Sequence, residues 1–236
     1  MAGVRAIFEI DIKKIVALST LRQLGLMMSA IGIARPDIAF FHLLTHAYFK
    51  ALLFICAGNL IHCRNDYQDL RQMGYMATNL PVTTRFITLR NISLCGLPFL
   101  AGFYSKDIFL EVALLSPLSL SAVILFFGAT LLTAAYSLRF TILTALRTAH
   151  ATPTLWSSDE DRVITRGIWV LLPLAVIGGS LLRWATFATP NLVVLPLVFK
   201  LGAVIVTVGG LALSTGLAGA NTLPSASGLR WTNATI

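Results

Sequence analysis

Long, nearly uncharged stretches recur along this chain from Ile15 to Leu217. A hydrocarbon core about 30 Å thick takes roughly 20 apolar residues of helix to cross. Stretches of that length are Ile15–Ala34, Ile38–His62, Leu80–Phe103, Ile108–Leu138, Val163–Trp184 and Leu192–Leu217. The fourth is long enough to include an interfacial start, broken near Ser116 and Pro117. The apolar runs are continuous rather than alternating and far longer than a barrel strand, which excludes a transmembrane β-barrel. Connections are short, so the spans must pack together. The expected fold is all-α: a polytopic transmembrane bundle of about six spans, forming a single membrane domain over residues 1–236. Met1–Lys14 carries charge without an apolar run of its own, so no signal peptide is expected there.

Composition sharpens this picture. Of 236 residues, 56 % are apolar and only 12 % charged, with a mean hydropathy of +0.80. A soluble domain carries about a quarter of its residues as Asp, Glu, Lys and Arg, so a water-soluble enzyme is excluded. The net charge of +8 gathers into no basic run, and no nucleic acid is expected as a partner. For a membrane protein the placement of cations between spans matters more. With six crossings, one side receives Arg5, Lys13, Lys14, Arg64, Arg71, Arg139, Arg147, Arg162, Arg166 and Arg230, and the other Arg35 and Arg183. The richer side is the inner one, which puts both termini inside. Cys56, Cys63 and Cys95 form no CxxC pair and read as small apolar packing residues.

The informative side chains are those in the wrong solvent. In the second span His42, His46 and Lys50 recur at i, i+4 and i+8, so they share one helical stripe. Burying an ammonium near the middle of a span costs at least ~2.5–3.5 kcal/mol on insertion scales, so the stripe must face protein or water. Imidazole titrates near neutral pH. A histidine–histidine–lysine line is therefore a physically reasonable proton relay. Two blander readings stand beside it. The HxxxH spacing also suits a metal pair, but no Glu follows the first His and no carboxylate or Cys sits at ligand spacing, so no metal is expected. Alternatively, the histidines are satisfied by interhelical hydrogen bonds and Lys50 is paired structurally.

The third span ends in Gly96-Leu97-Pro98-Phe99-Leu100-Ala101-Gly102-Phe103-Tyr104-Ser105-Lys106-Asp107. Gly96, Pro98 and Gly102 so close together break a helix. Irregular backbone is tolerated at membrane depth only beside protein or a water-filled cavity, and transporters place ion sites at such breaks. One discontinuous helix is expected here, with Lys106 at the mouth or middle of a polar path; the alternative is an ordinary surface loop with Lys106 solvated. Lys13 reads as a surface anchor or as a lead into the bundle from the inner side. Arg22, Arg85 and Arg90 fall inside spans without an evident purpose. No Gly-rich phosphate loop, cysteine cluster or nucleophile–base pair occurs, so no cofactor is expected on this chain.

Three segments carry a resemblance. They are Asp11 through Thr20 with Gln23-Leu24-Gly25, then His42 through Phe54, then Gly96 through Asp107. Their wording, order and spacing resemble the NADH-ubiquinone oxidoreductase chain 5 family, antiporter-like membrane-arm subunits of respiratory complex I. The resemblance is continuous from about Phe8 to Tyr136. It implies a second half-channel over about residues 8–138, with further spans over 163–217. It also implies that His42, His46 and Lys50 form a central hydrated axis, that Lys106 is the terminal lysine on the discontinuous helix, and that Lys13 precedes the neighbouring helix. It implies proton translocation coupled to quinone reduction elsewhere, in the mitochondrial inner membrane with both termini on the matrix side. NADH, FMN, iron–sulfur clusters and ubiquinone would then belong to other subunits. Expected partners are the other membrane-arm subunits, including the neighbouring antiporter-like one, membrane lipid, and a separate polypeptide carrying the absent amino-terminal half. Family members are more than twice as long, and Arg22 stands where a small polar residue is expected. The alternatives are a structural fragment of the membrane arm with no proton transfer of its own, and a subunit of a related cation/proton antiporter.

Overall fold

The computed structural model describes residues 1–64, 66–70, 73–74, 76–97, 100–115, 120–146, 162–187 and 197–219. Among these there is no strand; a single bridge pairs Asp11 with Asp69. A short helix α1 (Ala2–Phe8) leads into α2 (Ile12–Gly32), which turns sharply into α3 (Pro36–His62). The corner is made by Ala34 at φ 59° and by Pro36, whose missing N–H costs nothing at a first helical position. There follow α4 (Met76–Asn79), α5 (Pro81–Cys95), α6 (Ala101–Leu115), α7 (Leu120–Thr141), α8 (Arg162–Thr186) and α9 (Leu197–Gly219). The axis of α7 runs on through a π-helical turn, Ile142–Leu146.

Segments Ile12–Gly32, Pro36–His62, Ser121–Ala145 and Ile164–Thr186 are each long and apolar enough to cross a membrane. This agrees with the all-α bundle that the hydropathy pattern predicts. Two predicted boundaries move. The stretch Leu80–Phe103 is not one span but α5, a break, and the start of α6. Residues 108–115, assigned from hydropathy to the fourth span, belong to α6, and the following span begins at Leu120. Gly96 ends α5 before the apolar run ends, and a second interruption between Leu115 and Leu120 separates α6 from the next span. Each half is 15 residues, about 22 Å, so neither alone covers a hydrocarbon core. Ser116 and Pro117, where a break is also expected, lie outside the described residues, as does Pro98.

The core gathers where α3 meets α2, α5 and α8, around Ile12, Phe49, Leu52, Leu60, Ile87 and Ile168. Leu125, Trp169, Val170 and Trp184 point outward and exposed, as lipid-facing side chains do. Lipid is as apolar as leucine, so these helices hold by close packing and interhelical hydrogen bonds. Asn59 Nδ2 donates to Thr83 Oγ1 at 2.8 Å, joining α3 to α5. Glycine brings two further pairs together: a Cβ at Gly179 would lie 2.6 Å from the Ala101 Cβ, and one at Gly210 2.8 Å from the Ala134 Cβ. Gly210→Val is therefore expected to push α9 off α7 and destabilise the fold by about 1–3 kcal/mol, as overpacking does. A lowered midpoint in detergent thermal unfolding would register it; an unchanged midpoint would mean that α9 does not pack so closely.

Candidate functional site

Helical spacing places His42, His46 and Lys50 on the face of α3 that meets α2, and all three are buried. Opposite them, Val16, Ser19 and Gln23 recur at three- and four-residue intervals along α2. His42 Nε2 lies 3.2 Å from Gln23 Oε1. Lys50 Nζ donates to Val16 O at 2.6 Å and to Ser19 Oγ at 2.8 Å, and sits 5.3 Å from the centroid of the Phe54 ring. The two imidazoles are nearly parallel with centroids 6.1 Å apart. His42 Nδ1, His46 Nε2 and Gln23 Nε2 are buried without a hydrogen-bond partner. Buried polar atoms in folded proteins almost always hold a protein group or an ordered water, so these three atoms retain unused hydrogen-bonding capacity. Among the described residues no metal-ligand cluster includes the histidine pair.

The second part of the site is the break between α5 and α6. Gly96 caps α5 in the left-handed region at φ 85°, a conformation open to glycine at little cost. Gly102 is pressed against the backbone oxygen of Ser93, where no Cβ fits. Ending α5 there frees its last carbonyls, and Lys106 answers them: Nζ donates to Leu94 O and, at 3.1 Å, to Thr133 Oγ1 of α7. Lys106 is buried, so the surface-loop alternative fails. Beside it is a cavity of about 20 Å³, room for about one water, edged by Cys95, Asp107, Thr130 and Thr207. Thr207 comes from α9, which thus closes over the lysine.

Buried polar groups lie between the two parts. A smaller cavity, about 10 Å³, lies between Ser19 of α2, Arg90 of α5 and Tyr136 of α7. Lys106 acts electrostatically on both His42 and His46. The structure thus brings together His42, His46, Lys50, Lys106 and the glycines of the break. It does not bring Lys13 among them: Lys13 is exposed at the first turn of α2, beside Lys14, which pairs with Asp11 at 2.6 Å. Arg22 and Arg90, by contrast, lie deep in the core, whereas Arg85 is exposed. Sequence reading assigned no role to Ser19, Gln23, Thr133 or Thr207. The i, i+4 pairing of Ser19 with Gln23 on an apolar helix was the available signal for the first two.

Residues 1–134 match a family described as NADH:quinone oxidoreductase/Mrp antiporter, and residues 136–228 one described as NADH dehydrogenase subunit 5 C-terminus. Relatives named NADH-ubiquinone oxidoreductase chain 5 include those of Anopheles gambiae, 47 % identical over 89 % of this chain, and Locusta migratoria, 48 % identical over 85 %. That of Aedes aegypti is 46 % identical over 85 %. The matches cover 37 %, 35 % and 34 % of those relatives, so this chain spans about a third of their length.

Proposed function

The chain belongs to the NADH dehydrogenase subunit 5 family, and on that premise we propose that it is a proton-translocating part of the membrane arm of respiratory complex I in the mitochondrial inner membrane. The observation that carries this reading is the buried row of His42, His46 and Lys50 on one face of α3, with unpartnered imidazole nitrogens along it and a second buried lysine, Lys106, at the helix break. Residues 8–138 form the half-channel, and 163–217 supply spans that cover it. The second matching family, over residues 136–228, supports a complex I subunit over a cation/proton antiporter.

Each group has a task. Lys50 holds a proton as an ammonium against Val16 O and Ser19 Oγ, and yields it to the imidazole line, where each ring takes a proton on one nitrogen and releases one from the other. Gln23 orients His42. Lys106 is the exit station: its ammonium is stabilised by the open end of α5 and by Thr133, and water reaches it beside Thr130 and Thr207. Lys106 acts electrostatically on His42 and His46, so a charge arriving on the imidazole line disfavours one on Lys106, which couples loading to release. Redox work stays on other subunits with NADH, FMN, iron–sulfur clusters and ubiquinone. Partners are the other membrane-arm subunits, the neighbouring antiporter-like one among them, and lipid. Both termini face the matrix, the side that the Lys/Arg count favours.

His46→Leu in the intact complex tests the line directly. The leucine keeps the packing but cannot exchange a proton, so protons moved per electron should fall while NADH oxidation by assembled complex persists. An unchanged ratio would remove the imidazoles from the path. One observation favours a second reading: Arg22 and Arg90 put fixed charge in the core, which suits a structural piece with a degenerate channel. That reading predicts pumping indifferent to His46.

A further inference from the structure

Arg22 and Arg90 are 8 % and 3 % exposed. None of the three guanidinium nitrogens of Arg22 has a hydrogen-bond partner. Of those of Arg90 only Nη1 does, donating to the adjacent Asn91 Oδ1 at 2.7 Å. Other buried arginines reach backbone oxygens across the fold: Arg64 Nη2 donates to Gly74 O at 3.1 Å, and Arg139 Nη1 to Glu9 O at 2.9 Å. The ion pairs among the described residues involve Lys14 and Arg35, not these two. A guanidinium stays charged throughout the physiological range, so neither residue can hand on a proton. Both act electrostatically on Lys106, and Arg90 acts on His46 and Lys50 as well. Buried charge is tolerated when it is paired. Two unpaired guanidiniums beside two path lysines are what a membrane core rejects.

The surroundings suit a small hydroxyl instead. Position 22 is one turn from Ser19 on the buried face of α2, and position 90 one turn from Ser93 on α5. Several hydroxyls on these helices bond carbonyls of the preceding turn, although that of Ser93 has no partner: Ser19 to Val16 O at 2.7 Å, Ser29 to Leu26 O at 2.6 Å, Thr88 to Thr84 O at 2.9 Å. Serine at 22 and 90 would do the same. It would leave room for water against the Tyr136 hydroxyl, which is buried without a partner. The genetic code supplies the route between the two residues. The codons AGA and AGG specify arginine in the standard code and serine in the mitochondria of insects and most other invertebrates, and insect proteins are among the relatives of this chain.

We infer that the protein made by its own mitochondrial ribosomes carries serine at positions 22 and 90, where the hydroxyls line the path between Lys50 and Lys106. The inference rests on the mitochondrial reading proposed above. Its test is fragment-mass sequencing of chymotryptic peptides from the native complex, covering both positions. The expected result is the residue mass of serine at each, with no tryptic cleavage after either. The residue mass of arginine at either position would overturn the inference there. That outcome leaves the proton ratios of path variants unaffected, and those ratios do not report the identity of residues 22 and 90, so the two failures are distinguishable.

Discussion

A complex carrying Lys50→Met is expected to lose most of the proton flux proposed for this subunit while it still assembles and oxidises NADH. Methionine fills nearly the same volume on an adaptable chain, so the packing of α3 on α2 should survive. What disappears is the group that Val16 O and Ser19 Oγ hold, and with it the end of the imidazole line. A proton would have to pass that point without a station, slowing transfer at least tenfold, about 1.4 kcal/mol or more on the barrier. Lys50→Arg separates charge from proton exchange. Arginine keeps the positive charge but does not release its proton, so it too should fail. If Lys50→Arg pumps normally, Lys50 acts as a fixed charge or a packing group, and the relay reading is wrong at its centre. Flux is measured as protons per electron in the reconstituted intact complex, which corrects for partial assembly.

Much of this arrangement is legible from local pattern. The i, i+4, i+8 spacing of His42, His46 and Lys50 fixes a shared face whatever the neighbours are, because helical geometry alone sets it. Gly96 and Gly102 announce the break for a similarly local reason: one adopts a positive φ and the other touches backbone. Hydropathy fails where two helices share one apolar run. Nothing in the apolarity of Ile108 or Phe109 tells α6 from the spans on either side; only the interruptions at Gly96 and between Leu115 and Leu120 do. Long-range partners are equally invisible. That Lys106 meets Thr133, or that Thr207 from α9 edges the same cavity, depends on how separate helices pack, and no spacing rule connects them. Lys13 shows the converse. A lysine beside a span can be read as a lead into the bundle, but the start of α2 leaves it exposed.

Lys106→Ala is the second large effect. Truncation leaves Leu94 O and Thr133 Oγ1 without their donor and opens space beside the break. Water can enter that space from the adjoining cavity, so the carbonyl need not remain bare. The structural cost is therefore modest for a buried lysine, whereas the proposed path loses its exit station. Lys106→Gln gives a control that keeps a donor for Leu94 O without an exchangeable charge, and it should behave like the alanine variant. The two together separate the support of α5 from proton release. Rescue by glutamine would assign Lys106 to holding the break rather than to the path.

The most direct measurement is the ratio of protons translocated to electrons transferred in fully assembled complex carrying Lys106→Ala, taken beside the unaltered complex in sealed vesicles. A proton path through this chain predicts a lower ratio at comparable NADH oxidation. An unchanged ratio in assembled complex, with only the amount of complex reduced, would contradict it and leave the chain a structural member of the membrane arm.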